Sequence, residues 1–440
     1  MGDAMRAACV LGMGCVTPLG PSVAAFAAGL RAARSGVTAL PFSHPKVRCG
    51  AAAPVSAGSF DPLSAVAEAD VGRLPRLVPM ALHAARQALG EVGLLGADGR
   101  LGSGDAQRIG LVLGTGGGGI DFTLDQFTRD RDGGRASLWT ITNATHGNLA
   151  GELSIRLGLQ GPSWCVSTGC ASSSDAAAAA LSMLRERGGR ATEAGGLDAV
   201  LVVGADAHVR WETLHAMELL GVINTAPLAE YHHDPTAVSR PFDGRRKGFV
   251  LGEGAWAVLL GRPGWLPGVR PAAVLRGSGS TCDAFHRVRP APDMAQSVRA
   301  MRAAVADAGL TPAEIDLLHY HGTATELNDA LETAAVHTAF GEHAKRLRGH
   351  SVKGAIGHPQ GAAGLAALVA SVAALRGADG GTPFVLPTLN LSTPDPACDL
   401  DYTPREAAPI AIPERGVNLL VNCLAFGARN TALVLTVPAA

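Results

Sequence analysis

The sequence predicts an α/β protein built on mostly parallel sheets covered on both faces, and three observations lead there. Short apolar runs alternate with longer stretches of helical periodicity. The runs are continuous rather than alternating with polar residues, as expected of strands buried on two sides. The 440 residues are too many for one ordinary core, yet no Pro/Ser/Gly-rich linker or charge run divides them, so two intimately packed halves are expected.

In chain order, strands are predicted over 8–11, 109–113, 199–203 and 255–260, with helices over 75–92 and 176–186 between them. The same grammar resumes after Pro267, with strands over 273–276, 315–319 and 419–422 and helices over 294–308 and 361–375. The stretch 261–268, with Pro263 and Pro267, is the expected join between a half over 1–262 and a half over 268–440.

Composition narrows the function. Hydrophobic residues make up 47% of the chain but aromatics only 4%, and there are 56 glycines. The core is therefore one of Ala, Val and Leu with closely approaching backbones. The uncharged stretch 359–375 is rich in Gly and Ala and falls short of the roughly 20 apolar residues that span a bilayer, so it reads as a buried helix. A net charge of −1 with both signs scattered points neither to nucleic acid nor to a membrane surface. Residues 1–6 run into apolar 7–13 and then Gly14 and Pro18, without the long apolar core of a signal peptide, so a cytoplasmic location is expected. Eight dispersed cysteines with no CxxC pair argue against a zinc site or a disulfide framework.

Four segments carry chemistry. The first is Val166-Ser167-Thr168-Gly169-Cys170-Ala171-Ser172-Ser173-Ser174-Asp175, followed by a run of alanines. A strand ends, turns at Gly169 and enters a helix whose first residues surround Cys170. A thiol there lies near unpaired backbone N–H groups and the positive end of the helix dipole, which favours the thiolate. The turn also exposes the sulfur, as the strained elbow of serine hydrolases exposes its oxygen. Taken alone, the motif reads equally well as a cysteine packed beneath a helix, since buried cysteine is common.

The second segment, Leu317 through Glu332, delivers His321 to the C-terminal end of an apolar strand, where open α/β sheets place ligands. Thr323 and Thr325 then offer hydroxyls on a loop, and Asp329 and Glu332 read as acidic residues opening the next helix. The third, Ser351 through Gly364, sets Lys353 and His358 on a glycine-rich loop ahead of the small-residue helix, a costly place for a cation unless it is paired or used. The fourth, Asn422 through Asn430, is a tight loop between strands whose backbone N–H groups suit an anion.

Taken together, these segments resemble the β-ketoacyl-acyl carrier protein synthases of the thiolase superfamily, in the branch of elongating synthases of type II fatty acid and polyketide systems. The resemblance runs from Gly12-Met13-Gly14 through Ser239-Arg240-Pro241-Phe242-Asp243 and Gly248-Phe249-Val250-Leu251-Gly252-Glu253-Gly254-Ala255 to the C-terminal glycine loop. It implies a thiolase-like, five-layered αβαβα fold of two similar mixed-sheet halves. It implies that Cys170 accepts the acyl group, that His321 and His358 handle malonyl decarboxylation, and that Lys353 organises the centre with Glu332. Thr323 and Thr325 would bind phosphopantetheine, and the N–H groups of Cys170 and Phe426 would form an oxyanion hole, with Phe426 also the gatekeeper. No metal or resident cofactor is implied, because phosphopantetheine arrives on the acyl carrier protein.

Three departures from the family pattern stand out: Lys247 where an aspartate is usual, Ala428-Arg429 in the gatekeeper loop, and Gly117 where some homologues place a bulky acyl-pocket residue. Gly117 implies a roomier or differently shaped pocket, and hence long, polyunsaturated or aromatic-type chains. The sequences Ser167-Thr168-Gly169-Cys170, Asn328-Asp329 and Glu332-Thr333-Ala334-Ala335 resemble ketosynthase subunits of type II polyketide synthases more than housekeeping fatty acid enzymes. That branch implies a homodimer or a heterodimer with a chain-length-factor-like homologue, with Trp139 near the interface. Arg73, Arg76 and Arg86 are candidate docking cations for the acidic carrier protein, or ordinary solvated arginines. Competing readings are a thiolase, which uses a second cysteine where this chain offers a histidine, and a non-catalytic partner, which would lack the nucleophile.

Overall fold

The computed structural model describes residues 7–102, 106–186 and 196–439; residues 1–6, on which the reading of the N-terminus rests, lie outside them. Ten strands form one sheet: β1 Ala8–Val16, β2 Ile109–Gly114, β3 Ser163–Val166, β4 Ala199–Asp206, β5 Gly254–Gly261, β6 Ala273–Cys282, β7 Leu317–His319, β8 Arg348–His350, β9 Val417–Ala425 and β10 Arg429–Val437. Their spatial order is β8-β7-β9-β10-β6-β1-β5-β4-β2-β3. The first five strands and the last five follow the same path, and the two sets meet where β1 pairs antiparallel with β6. The chain passes from one set to the other through residues 262–272.

The helices repeat as well. Helices α1 Leu77–Gly90, α2 His146–Leu157 and α3 Ser172–Arg185 fall in the first half, and α4 Ala295–Asp307, α5 Glu326–Phe340 and α6 Ala363–Arg376 stand at the equivalent places in the second. Helices α3 and α6 pack on each other and on strands of both halves, so they form the central layer. Helix α1 covers β1 and β5 with α2 beside it, while α4 covers β6 and β10 with α5 beside it. The result is the five-layered arrangement expected, with its two strand layers continuous through the β1–β6 seam. One apolar core surrounds α3 and α6, and one lies under each outer helix pair. Helix α6 is buried from Ala363 to Leu375, as its composition predicts, and no helix among the described residues is long and apolar enough to cross a membrane.

The expectation of mostly parallel sheets is corrected. Five of the nine strand pairings in this ten-stranded sheet are antiparallel and four parallel. Strands β5 and β10 enter antiparallel yet are buried on both faces all the same. Their continuous apolar runs report double burial rather than strand direction.

The glycines explain how closely these layers approach. A Cβ at Gly12 or Gly14 of β1 would overlap the carbonyls of Ala88 and Ala84 on α1, and one at Gly277 or Gly279 of β6 would overlap those of Ala304 and Ala300 on α4. The same Gly-x-Gly contact thus seats the outer helix in each half. Gly279→Ala is expected to lower the unfolding free energy by about 1–3 kcal/mol in a urea titration. Gly151→Ala, in α2 with nothing within 4 Å of its Cβ, serves as the control and should not destabilise.

Candidate active site

The site assembles where strands of both halves end. Gly169, with φ +65°, turns the chain from β3 toward α3, and a Cβ there would stand 3.2 Å from the Phe426 carbonyl. The glycine therefore allows the loop after β9 to close against the elbow. The N–H groups of both Phe426 and Cys170 face the Cys170 sulfur, the two donors the sequence pairs as an oxyanion hole. Ala428 holds φ +63° in that loop, a left-handed conformation that costs a non-glycine residue roughly 1–2 kcal/mol.

Cys170 is 7% exposed, and its Sγ lies 3.2 Å from His358 Nε2. The His321 and His358 rings are 5.4 Å apart and nearly perpendicular. The sulfur and one nitrogen of each imidazole fall within 4.8 Å of one another. Such a set has donors that suit a soft cation, but the buried Lys353 ammonium beside His321 opposes one electrostatically.

The backbone around His321 is gripped at both ends. Glu332 Oε1 accepts its N–H at 2.7 Å, Oε2 accepts that of Gly322 at 2.9 Å, and Lys353 Nζ donates to the His321 carbonyl. Asn422 Nδ2 donates to Glu332 Oε1 at 2.7 Å. Among the described residues no direct ion pair joins Lys353 to Glu332; they meet through His321. Asp329 works the same way, accepting N–H bonds from Phe242, Thr323 and Ala324. Asp329 lies in the first turn of helix α5 as expected and Glu332 lies beyond it; the N-cap is Thr325, and both carboxylates hold the preceding loop. His358 is pinned from the first half, its N–H on the Val250 carbonyl at 2.7 Å and its carbonyl on the Gly252 N–H at 3.0 Å.

Charge follows burial here. Desolvation and then the Lys353 charge hold both imidazoles well below their ordinary range, so they are neutral at physiological pH. Lys353 Nζ lies 3.5 Å from His321 Nδ1. An ammonium can only donate, so Nδ1 accepts and Nε2 carries the proton. The buried His358 Nδ1 has no partner among the described residues. An unpaired acceptor is less costly than an orphaned N–H, which again leaves the proton on Nε2. Burial lowers Lys353, partly offset by Cys423, Glu332 and Cys170. Burial raises Glu332 to about 7 against the N–H bonds it accepts.

The thiolate expected from the helix terminus is overturned. Burial pushes the Cys170 thiol up to about 11, and the Lys353 charge and the Phe426 N–H pull it down only in part. Cys423, which the sequence did not single out, donates its S–H to the Cys170 carbonyl at 3.1 Å and lies 3.7 Å from His321 Nδ1.

A cavity of about 480 Å³ leads to the sulfur, lined among others by His321, His358, Thr323, Thr325 and Phe426. The two threonine hydroxyls are 3.0 Å apart. Lys247, Arg289 and Arg429 stand on its wall, with Lys247 paired to Glu230. Arg73, Arg76 and Arg86 do not line it; Arg76 binds the buried Glu253 through both nitrogens and Arg86 donates to the Ala65 carbonyl. Gly117 does not line it either. The space beside it is filled by the His208 ring, 2.7 Å at Cδ2 from where a Cβ would be, so the roomier pocket expected there is not present.

Residues 5–263 match the family described as Beta-ketoacyl synthase, N-terminal domain, and residues 272–391 match Beta-ketoacyl synthase, C-terminal domain. The chain is 31% identical over 431 residues to 3-oxoacyl-[acyl-carrier-protein] synthase 2 of Synechocystis sp., covering 96% of each. Among solved structures, a β-ketoacyl synthase from Burkholderia phymatum is 26% identical with a TM-score of 0.84 and covers 99% of this chain and 100% of that one. The ishigamide ketosynthase/chain length factor is 27% identical with a TM-score of 0.83 over the same shares. The chain belongs to the β-ketoacyl synthase family of acyl-transferring condensing enzymes.

Because burial pushes the folded thiol up to about 11, its thiolate fraction rises tenfold per pH unit below that value. The rate of Cys170 carbamidomethylation by iodoacetamide is therefore expected to climb about tenfold per unit from pH 7 to 9. A plateau across that range would mean an already ionised sulfur.

Proposed function

We propose that this chain is the ketosynthase of a type II polyketide pathway, condensing an acyl chain held on Cys170 with malonyl-acyl carrier protein. The observation that carries the chemistry is the 3.2 Å approach of His358 Nε2 to Cys170 Sγ beside a second neutral imidazole. In the first step the sulfur attacks the incoming thioester, the carrier's thiolate leaves, and the Cys170 proton ends on that thiol. The N–H groups of Cys170 and Phe426 face the oxyanion; losing one such donor typically costs about 10²–10³ in rate.

In the second step malonyl-carrier loses carbon dioxide. The enolate left behind takes hydrogen bonds from His321 and His358 Nε2–H, attacks the acyl carbonyl and expels the Cys170 sulfur. Neutral imidazoles suit this role, since each donates without protonating the enolate outright. Lys353 and Glu332 act by holding His321, and the Thr323 and Thr325 hydroxyls suit the phosphopantetheine amides. Lys247, Arg289 and Arg429 give the cavity wall the charge that an acidic carrier and its phosphate favour. The reading requires no metal and no resident cofactor.

The polyketide branch rests on the resemblance of the segments around Cys170 and Asn328 and on the likeness to the ishigamide ketosynthase/chain length factor. The likeness to a 3-oxoacyl-[acyl-carrier-protein] synthase 2 favours fatty acid elongation as the second reading. Either way a second subunit of the same fold is proposed, a copy of this chain or a chain-length-factor-like homologue. Among the described residues strand β3 is paired on one side only. Around it Trp164, Ile155, Trp139 and Ile141 are 50, 67, 49 and 69% exposed, on elements that pack against one another. The reading places the protein in the cytoplasm.

Incubation with an acyl-carrier protein is expected to add one acyl group, on Cys170, by intact-protein mass spectrometry, and Cys170→Ala should abolish it. His321→Ala and His358→Ala should still acylate but release carbon dioxide from malonyl-carrier at least about 10²-fold more slowly. Undiminished release in both would refute the reading.

A further inference from the structure

Two buried histidines stand outside the chemistry described so far. His319 ends β7 and His350 ends β8, side by side in the parallel register of those strands. Their rings meet edge to face with centroids 4.7 Å apart, and both are sealed from solvent. Each points a nitrogen at the Ser371 hydroxyl in helix α6, His319 Nδ1 at 3.0 Å and His350 Nε2 at 3.0 Å. On the far side of its ring, His319 Nε2 lies 3.4 Å from the Val352 nitrogen.

The partners fix the protons of this cluster. A backbone N–H can only donate, so His319 Nε2 accepts from Val352 and the proton of the neutral ring stands on Nδ1. Nδ1–H then donates to Ser371 Oγ, whose own hydrogen goes to the Ala367 carbonyl at 2.8 Å. The second lone pair of that oxygen takes His350 Nε2–H. His350 Nδ1 has no partner among the described residues, and a bare acceptor is the less costly group to leave unpaired. Burial first, and for His319 the neighbouring His350 and Lys353 as well, holds both rings below their ordinary range, which keeps them neutral. His319 is therefore protonated on Nδ1, two residues before a ring protonated on Nε2.

What this cluster holds is the segment that carries Lys353. The Ser351 N–H bonds Thr388 Oγ1 at 3.0 Å, the Ser351 hydroxyl donates to the Gly322 carbonyl at 2.9 Å, and the Lys353 N–H reaches Ser351 Oγ at 3.4 Å. Val352 N–H is the remaining backbone donor of the segment, and it is anchored on the strand that delivers His321. Lys353 Nζ in turn must meet both the His321 carbonyl and, at 3.5 Å, His321 Nδ1. We propose that His319 is a positioning residue for decarboxylation: it holds Val352 so that Lys353 stays at His321 Nδ1 and that ring keeps its proton on Nε2, toward the enolate. This rests on the reading of His321 as an enolate donor. Ser371 acts behind His319 by fixing which of its nitrogens accepts. Acylation of Cys170 involves no enolate, so comparing the two half-reactions separates this role from a general loss of structure.

The test has two parts. Nitrogen-15 NMR of the wild type labelled in histidine, with His319 assigned by His319→Gln, should show Nδ1 protonated and Nε2 unprotonated at His319; a proton on Nε2 there overturns the assignment whatever the variants do. In His319→Leu, the rate of carbon dioxide release from malonyl-carrier relative to the rate of Cys170 acylation should fall about tenfold, the effect of one hydrogen bond. His319→Gln, whose amide both accepts and donates, should recover most of that ratio. An unchanged ratio in His319→Leu, including an equal loss in both half-reactions, overturns the assignment. Should His319→Leu not fold, Ser371→Ala, which removes only the acceptor of Nδ1–H, carries the same expectation and the same refutation. His321→Ala tells the two readings apart. Undiminished carbon dioxide release there sinks the enolate-donor reading and this assignment with it, whereas slowed release there beside an unchanged ratio in His319→Leu sinks this assignment alone.

Discussion

The site depends on the backbone of one residue held from both sides. His321 follows strand β7, and its N–H and carbonyl are taken by two buried ionisable groups, Glu332 and Lys353. Glu332 also offsets the Lys353 charge electrostatically, so removing it leaves the buried ammonium less compensated. The arrangement also settles the chemistry of the ring, because the ammonium beside Nδ1 both fixes the tautomer and disfavours a second proton. His358 reaches the same state by a different route, its backbone pinned by Val250 and Gly252. The segment 248–255 of the first half thereby positions a residue of the second, which is why the two halves make one site.

Repetition of the fold explains where that site lies. Cys170 follows β3, the loop of Lys353 and His358 follows the equivalent strand β8, His321 follows β7, and Phe426 follows β9. Parallel strands place their C-terminal ends together, and the central helices α3 and α6 bring the two sets of ends face to face across one core. Glycine contacts such as those of Gly277 and Gly279 with α4 keep the layers close enough for this register to be kept.

Much of this was legible in the sequence because it is local. Each of Cys170, His321 and His358 stands next to a glycine turn flanked by apolar segments, so type and position agree. Helix α6 announced itself through composition. What was not legible joins distant residues or depends on desolvation. Strand β8 is three residues long, one of them arginine, and offers no apolar run. The inward aim of Glu332 needs Asn422, 90 residues away. The filling of the space at Gly117 needs His208, held by Asp206. A helix terminus favours ionisation of the Cys170 thiol, whereas its burial, which only the fold reveals, opposes it by more.

The central claim is that both histidines meet the enolate as neutral rings with the proton on Nε2. Nitrogen-15 NMR of the protein labelled in histidine, with His321 and His358 assigned by single substitutions, reads this directly. The account predicts an unprotonated Nδ1 and a protonated Nε2 for both rings from pH 6 to 8. An imidazolium at either position, or a proton on Nδ1 of His321, would contradict it.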